Sequence, residues 1–240
     1  MSAFLLEALA ALPPKPDDSA SQSLKKQYSE TLSRLAALAF AQEMRRRGLA
    51  EALPRIATGT TGAGSERWMA GGIGAKKVDV TWATEESGLL LAISIKSINF
   101  KDARSRNYQK NLNNRRGDML FETVTLHRRF PYAVVAGFFF LDRGAASDVT
   151  ESRESTFLNA HHRFRLFTGR DDPAGRDEQL ERLYIVLFEP DPLSVEVFLA
   201  GHPEEPVHLS RIFDEILEIT AERNPDFYRS SEGKLIRLRG

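Results

Sequence analysis

Residues 132–142, YAVVAGFFFLD, restrict the possible folds of this chain more than any other stretch. The run is apolar up to Asp142, yet it falls well short of the roughly 20 residues needed to cross a bilayer. Its composition predicts a strand that is apolar on both faces, and such a strand belongs in the middle of a sheet. Both faces of that sheet then need covering layers.

The rest of the chain supplies candidates for those layers. From Lys25 to Arg47, apolar residues Tyr28, Leu32, Leu35, Ala36, Ala39, Phe40 and Met44 recur at three- and four-residue steps, and Gly48 follows as a C-cap. That pattern predicts a long amphipathic helix. Residues 77–97 hold two extended runs around the polar connection ATEESG, a hairpin signal. Alternation places Leu91, Ile93 and Ile95 on one face of the second strand and Ala92, Ser94 and Lys96 on the other; on the first strand Val78, Val80 and Trp82 oppose Asp79 and Thr81. A helix is expected within 101–130, clearest over 117–129, then strands at 183–189 and 194–199. A closing helix over 210–223 presents Ile212, Phe213, Ile216, Leu217 and Thr220. These elements predict a single α/β sandwich over residues 25–240, preceded by a short helix and linker in residues 1–24.

Composition narrows the function. The chain of 240 residues is 42% hydrophobic and 28% charged, enough to bury an interior. It has no cysteine, which excludes disulfides and thiolate chemistry and fits a reducing compartment, so a cytoplasmic location is expected. No apolar run predicts a membrane span. The glycine-rich stretch 57–77 reads as a long loop, and neither GxxxxGK[ST] nor GxGxxG can be laid on it. His161 and His162 are adjacent, His127, His202 and His208 form no ligand motif, and GxSxG is absent, so neither a zinc site nor serine hydrolase chemistry is expected.

One constellation carries chemistry. Val78-Asp79-Val80 is followed on the neighbouring strand by Ser94-Ile95-Lys96. This arrangement resembles the PD-(D/E)xK nuclease superfamily, over roughly residues 25–142. The resemblance implies a restriction-endonuclease-like sandwich, a central mixed β-sheet flanked by helices. It also implies Asp79 as a ligand of Mg²⁺, with Mn²⁺ as a substitute, and Lys96 as the cation that positions the attacking water. The sequence departs from the pattern at Ser94, where the family has Asp or Glu. Glu30 on the long helix is the preferred source of the missing carboxylate, ahead of Glu66 and Glu43. Hard cations take oxygen ligands and keep several waters, so one or two carboxylates suffice to seat Mg²⁺. The same Asp79 and Lys96 would also serve as a plain strand-edge ion pair.

Lys96 to Arg116 holds seven cations against Asp102 alone, a local charge of 7 − 1 = +6 in a chain whose 33 basic and 33 acidic residues cancel. Lys101, Arg104, Arg106, Lys110, Asn114, Arg115 and Arg116 are therefore candidate contacts to double-stranded DNA. The resulting expectation is a Mg²⁺-dependent DNA endonuclease of restriction or defence type, with a homodimer as the form that cuts both strands. Two alternatives stay open: a nuclease fold that binds DNA without cutting it, favoured by Ser94, and an interaction module that meets no nucleic acid. The arginines of residues 143–180 fit either a recognition region or a surface insertion.

Overall fold

The computed structural model describes residues 3–55, 67–70 and 74–238. In chain order it contains α1 (Ala3–Ala10), α2 (Gln22–Arg46), β1 (Arg67–Ala70), β2 (Ala75–Val78), β3 (Val80–Thr84), β4 (Gly88–Ile98), α3 (Leu112–His127), β5 (Val134–Asp142), α4 (Thr156–Phe164), β6 (Arg182–Pro190), β7 (Leu193–Leu199), α5 (Leu209–Arg223), β8 (Tyr228–Ser231) and β9 (Lys234–Arg237).

The central sheet has five strands in the order β3-β4-β5-β6-β7. β5 runs parallel to both β4 and β6, while the edge strands β3 and β7 are antiparallel to their neighbours. Every residue of β5 is buried, as its composition requires. Its alternate side chains feed two cores. Val134, Ala136, Phe138 and Phe140 join α1, α2 and α5 on one face, and Val135, Phe139 and Leu141 meet α3 and α4 on the other. Phe138 packs at a tilt against Phe40 of α2 with ring centroids 4.4 Å apart, and Phe139 meets Phe164 of α4 at 4.8 Å. Each buried phenylalanine contributes about 1.5–3 kcal/mol. A Cβ at Gly137 would lie 2.7 Å from Leu183 and 2.8 Å from Leu180, so a larger residue there would force those buried side chains to shift.

Four sequence expectations shift. α2 begins at Gln22, where the Ser21 hydroxyl accepts the Leu24 N–H, so the linker boundary at residue 24 falls inside this helix. Leu5 and Leu9 of α1 are buried in the main core, and Lys15 is paired with Asp142, which joins the N-terminal segment to the sandwich. α3 starts near Leu112 rather than 117: Leu112, Met119 and Leu126, seven residues apart, form one buried stripe that carries the helix through Gly117. Val78 and Val80 do not share a face. The chain bends at Asp79, sending Val78 into the core on the α3 side and Val80 into the core on the α2 side.

A buried charge cluster holds the beginnings of β5 and β6. Glu181 accepts the Val135 N–H, faces His127 Nε2 at 3.2 Å, and pairs with Arg170 at 3.0 Å and Arg223 at 3.2 Å. Burial by itself pushes the Glu181 carboxyl up, but His127, the Val135 N–H and Arg170 outweigh it and hold the group below the ordinary carboxylate range. Arg170 is thus spent in the interior, and Arg153 (on Asp148) and Arg163 (on Asn113 and Asn159) are tied down internally. The arginines of residues 143–180 do not form one exposed recognition patch.

Candidate active site

The site starts from the bend at Asp79. β2 leaves the central sheet to pair with β1, so Ile95, paired with Phe138 of β5 on one side, has no β3 partner on the other. The Asp79 carboxylate fills the gap, accepting the Ile95 N–H at 2.6 Å. Strand alternation puts Ser94 and Lys96 on the face away from Ile93 and Ile95, as the sequence predicts, and in the fold that face meets α3.

α3 meets this polar stripe with Glu122. The Ser94 hydroxyl donates to Glu122 Oε2 at 3.1 Å, and Lys96 Nζ donates to the same oxygen and to Ser94 Oγ, each at 3.0 Å. Lys96 Nζ also lies 3.8 Å from Asp79 Oδ2. One ammonium therefore stands within ion-pair distance of two carboxylates, one from the strand bend and one from the helix. Glu122 is 5% exposed, and its Oε1 has no hydrogen-bond partner among the described residues. A buried carboxylate oxygen without a donor is costly unless something positive meets it.

Burial alone would lower the pKa of Lys96. Glu122 and then Asp79 overcome that effect and raise it above the ordinary lysine value, so the charged form is the one held here. In this arrangement Lys96 is a fixed cation and a hydrogen-bond donor, not a depressed-pKa base.

The second carboxylate beside Lys96 is thus Glu122, a residue that the sequence reading passed over. The signal was present: Glu122 interrupts the buried stripe of α3 between Met119 and Leu126, at a position where helical spacing calls for an apolar side chain. The residues first considered are elsewhere. Glu30 is exposed and pairs with Lys26 at 3.7 Å, Glu43 is buried against Arg46 and Arg47, and Glu66 lies outside the described residues. Among the described residues, no three metal-binding side chains gather into one group, so Glu30 does not join Asp79 and Glu122. The two carboxylates present fit a hard cation that retains several waters.

Lys96 opens onto a cleft of about 960 Å³ between the first turns of α2 and the segment that follows β4. Of the proposed DNA contacts, Lys101, Lys110 and Arg115 line it. Lys110 pairs with Asp102, which turns the loop by accepting the N–H groups of Arg104 and Ser105. The Lys110 hydrogen bond, with help from Ser105, holds Asp102 well below its usual pKa. Arg104, Arg106 and Asn114 are exposed outside the cleft lining. Arg116 packs over the Phe167 ring at 5.7 Å, toward the α4 side.

Comparison with protein-family models, curated proteins and solved structures finds no match. No described helix is long and apolar enough to cross a membrane.

Proposed function

We propose that this protein is a Mg²⁺-dependent nuclease of the PD-(D/E)xK type, with a restriction-endonuclease-like sandwich, that hydrolyses phosphodiester bonds in duplex DNA. The observation that carries the proposal is the convergence of Asp79 and Glu122 on Lys96, which itself lines a basic cleft. A strand acid, a second carboxylate and a lysine are the set that metal-assisted phosphodiester hydrolysis needs, and the second carboxylate stands on α3 because Ser94 holds its strand position.

Asp79 and Glu122 would hold the cation. When bound, Mg²⁺ would neutralise a non-bridging phosphate oxygen and make a bound water more acidic. The protein's own groups have separable tasks. The Ile95 N–H fixes the orientation of the Asp79 carboxylate, and the Ser94 hydroxyl fixes one oxygen of Glu122, while Oε1 is buried without a donor among the described residues. Lys96, kept charged, orients water and stabilises negative charge that builds on the phosphate in the transition state. Lys101, Lys110 and Arg115 supply the positive potential that attracts the polyanion.

Lys96 also favours a second reading. Its ammonium already neutralises both carboxylates, which suits a subunit that binds DNA without a metal and does not cut it.

Supercoiled plasmid incubated with Mg²⁺, Mn²⁺ or EDTA separates the two. The nuclease reading expects nicking with either metal, none with EDTA, and loss of cutting in Asp79→Asn and Lys96→Met proteins whose circular dichroism is native. DNA retention without cutting under every metal condition would support the non-cleaving subunit instead.

A further inference from the structure

The cations that first suggested DNA all follow Lys96 in sequence, but the fold gives the cleft a second wall. Gln22, Lys26, Ser29, Ser33 and Arg34 of α2 line the cleft together with Lys101 and Lys110 of the segment after β4. Lys26, Ser33 and Arg34 recur at i, i+7 and i+8, so they share one face of the helix. Lys26 and Arg34 are exposed, and Arg34 has no carboxylate partner among the described residues. Eight residues at 1.5 Å each separate the two charges by about 12 Å along the helix. One DNA strand rises 3.4 Å per nucleotide, so that separation spans about three to four nucleotide steps.

We infer that this face of α2 is a phosphate-binding wall, along which one strand of a DNA duplex runs as it enters the site. The inference rests on the nucleic-acid reading above and extends it to residues whose sequence position did not suggest DNA. Charge complementarity selects the occupant. Lysine, arginine and hydroxyl groups spaced along a helix, facing a second basic wall, match a repeating array of phosphates better than an acidic peptide of irregular charge. The contacts go to the backbone, so this wall adds affinity and register without reading bases. Glu30, between Lys26 and Arg34, is the acid of this wall and opposes the substrate.

The test is fluorescence anisotropy of a short labelled DNA duplex in EDTA, over a series of salt concentrations. It compares the unaltered protein with Lys26→Gln/Arg34→Gln, with Glu30→Gln, and with Arg229→Gln, an exposed cation on β8. Two lost phosphate contacts should flatten the slope of log K against log salt by about 1.8 in the double variant. Glu30→Gln should bind about two- to fivefold tighter, and Arg229→Gln should match the unaltered protein. An unchanged slope in the double variant, while the unaltered protein binds and cuts DNA, overturns the α2 wall and leaves the nuclease proposal standing. Failure of the unaltered protein to bind DNA overturns both.

Discussion

Ser94→Asp combined with Glu122→Ala moves a carboxylate across the Ser94–Glu122 contact, from α3 to β4. The two side chains meet at 3.1 Å, so an aspartate at 94 carries its oxygens one bond beyond the serine hydroxyl, into the space that Glu122 Oε2 occupies. Glu122→Ala alone leaves Lys96, whose side chain is 16% exposed, with Asp79 at 3.8 Å as its remaining acid. Breaking a buried pair costs about 3–5 kcal/mol, and the surviving Asp79 contact places this case near the lower figure. Ser94→Asp alone crowds two carboxylates into one gap and is also destabilising, because one of them must hold a proton. The double variant should therefore be more stable than the sum of the single effects implies, with a coupling of about 1–3 kcal/mol. Urea unfolding of all four proteins gives that cycle. In parallel, the rate of supercoiled plasmid nicking in Mg²⁺ should fall about 100-fold or more in Glu122→Ala and recover at least tenfold in the double variant. Additive stabilities, with no recovery of cutting, would refute the claim that positions 94 and 122 serve one corner of one site.

Other consequences concern the scaffold. Burial, then the charges of His162 and His202, lower the pKa of His161 to about 4 from the ordinary histidine value of 6.5. The unfolded chain takes up this proton first, so the stability contribution is complete above about pH 6.5 and is lost as pH falls toward 4. Unfolding free energies from urea titrations at pH 7 and pH 5 should differ by about 2 kcal/mol on this account, and His161→Gln should remove that difference; an identical pH dependence in the variant would contradict it. Glu181→Gln strands the buried Arg170 and Arg223 without a carboxylate and should cost about 3–5 kcal/mol in chemical denaturation, against a near-neutral effect for the exposed Glu204→Gln. Because the Glu181 pKa is held below its unfolded value, its contribution is present above the unfolded pKa and fades as pH falls through the folded one.

The sheet was legible because β5 leaves little choice: a strand apolar on both faces has to be central, and the alternation of β4 then divides Ile93 and Ile95 from Ser94 and Lys96. Asp79 and Lys96 could be paired from that alternation together with the hairpin. Glu122 could not be reached in the same way, since its nearness to Ser94 depends on how α3 packs after a parallel crossover, and no local rule fixes that. The bend at Asp79 was likewise hidden. Period-two counting carries Val78 and Val80 to one face, whereas the departure of β2 toward β1 reverses the side chains at that point. The arginines of residues 143–180 looked exposed by composition alone, although Arg170 is fully buried beside Glu181.

The most direct test of the central claim is the initial rate of plasmid nicking in Mg²⁺ by the unaltered protein and by Glu122→Gln, at matched folding and matched DNA affinity. The account predicts metal-dependent cutting that EDTA abolishes and that Glu122→Gln reduces about 100-fold or more. Equal cutting by the two proteins, or none by the unaltered one, would contradict it.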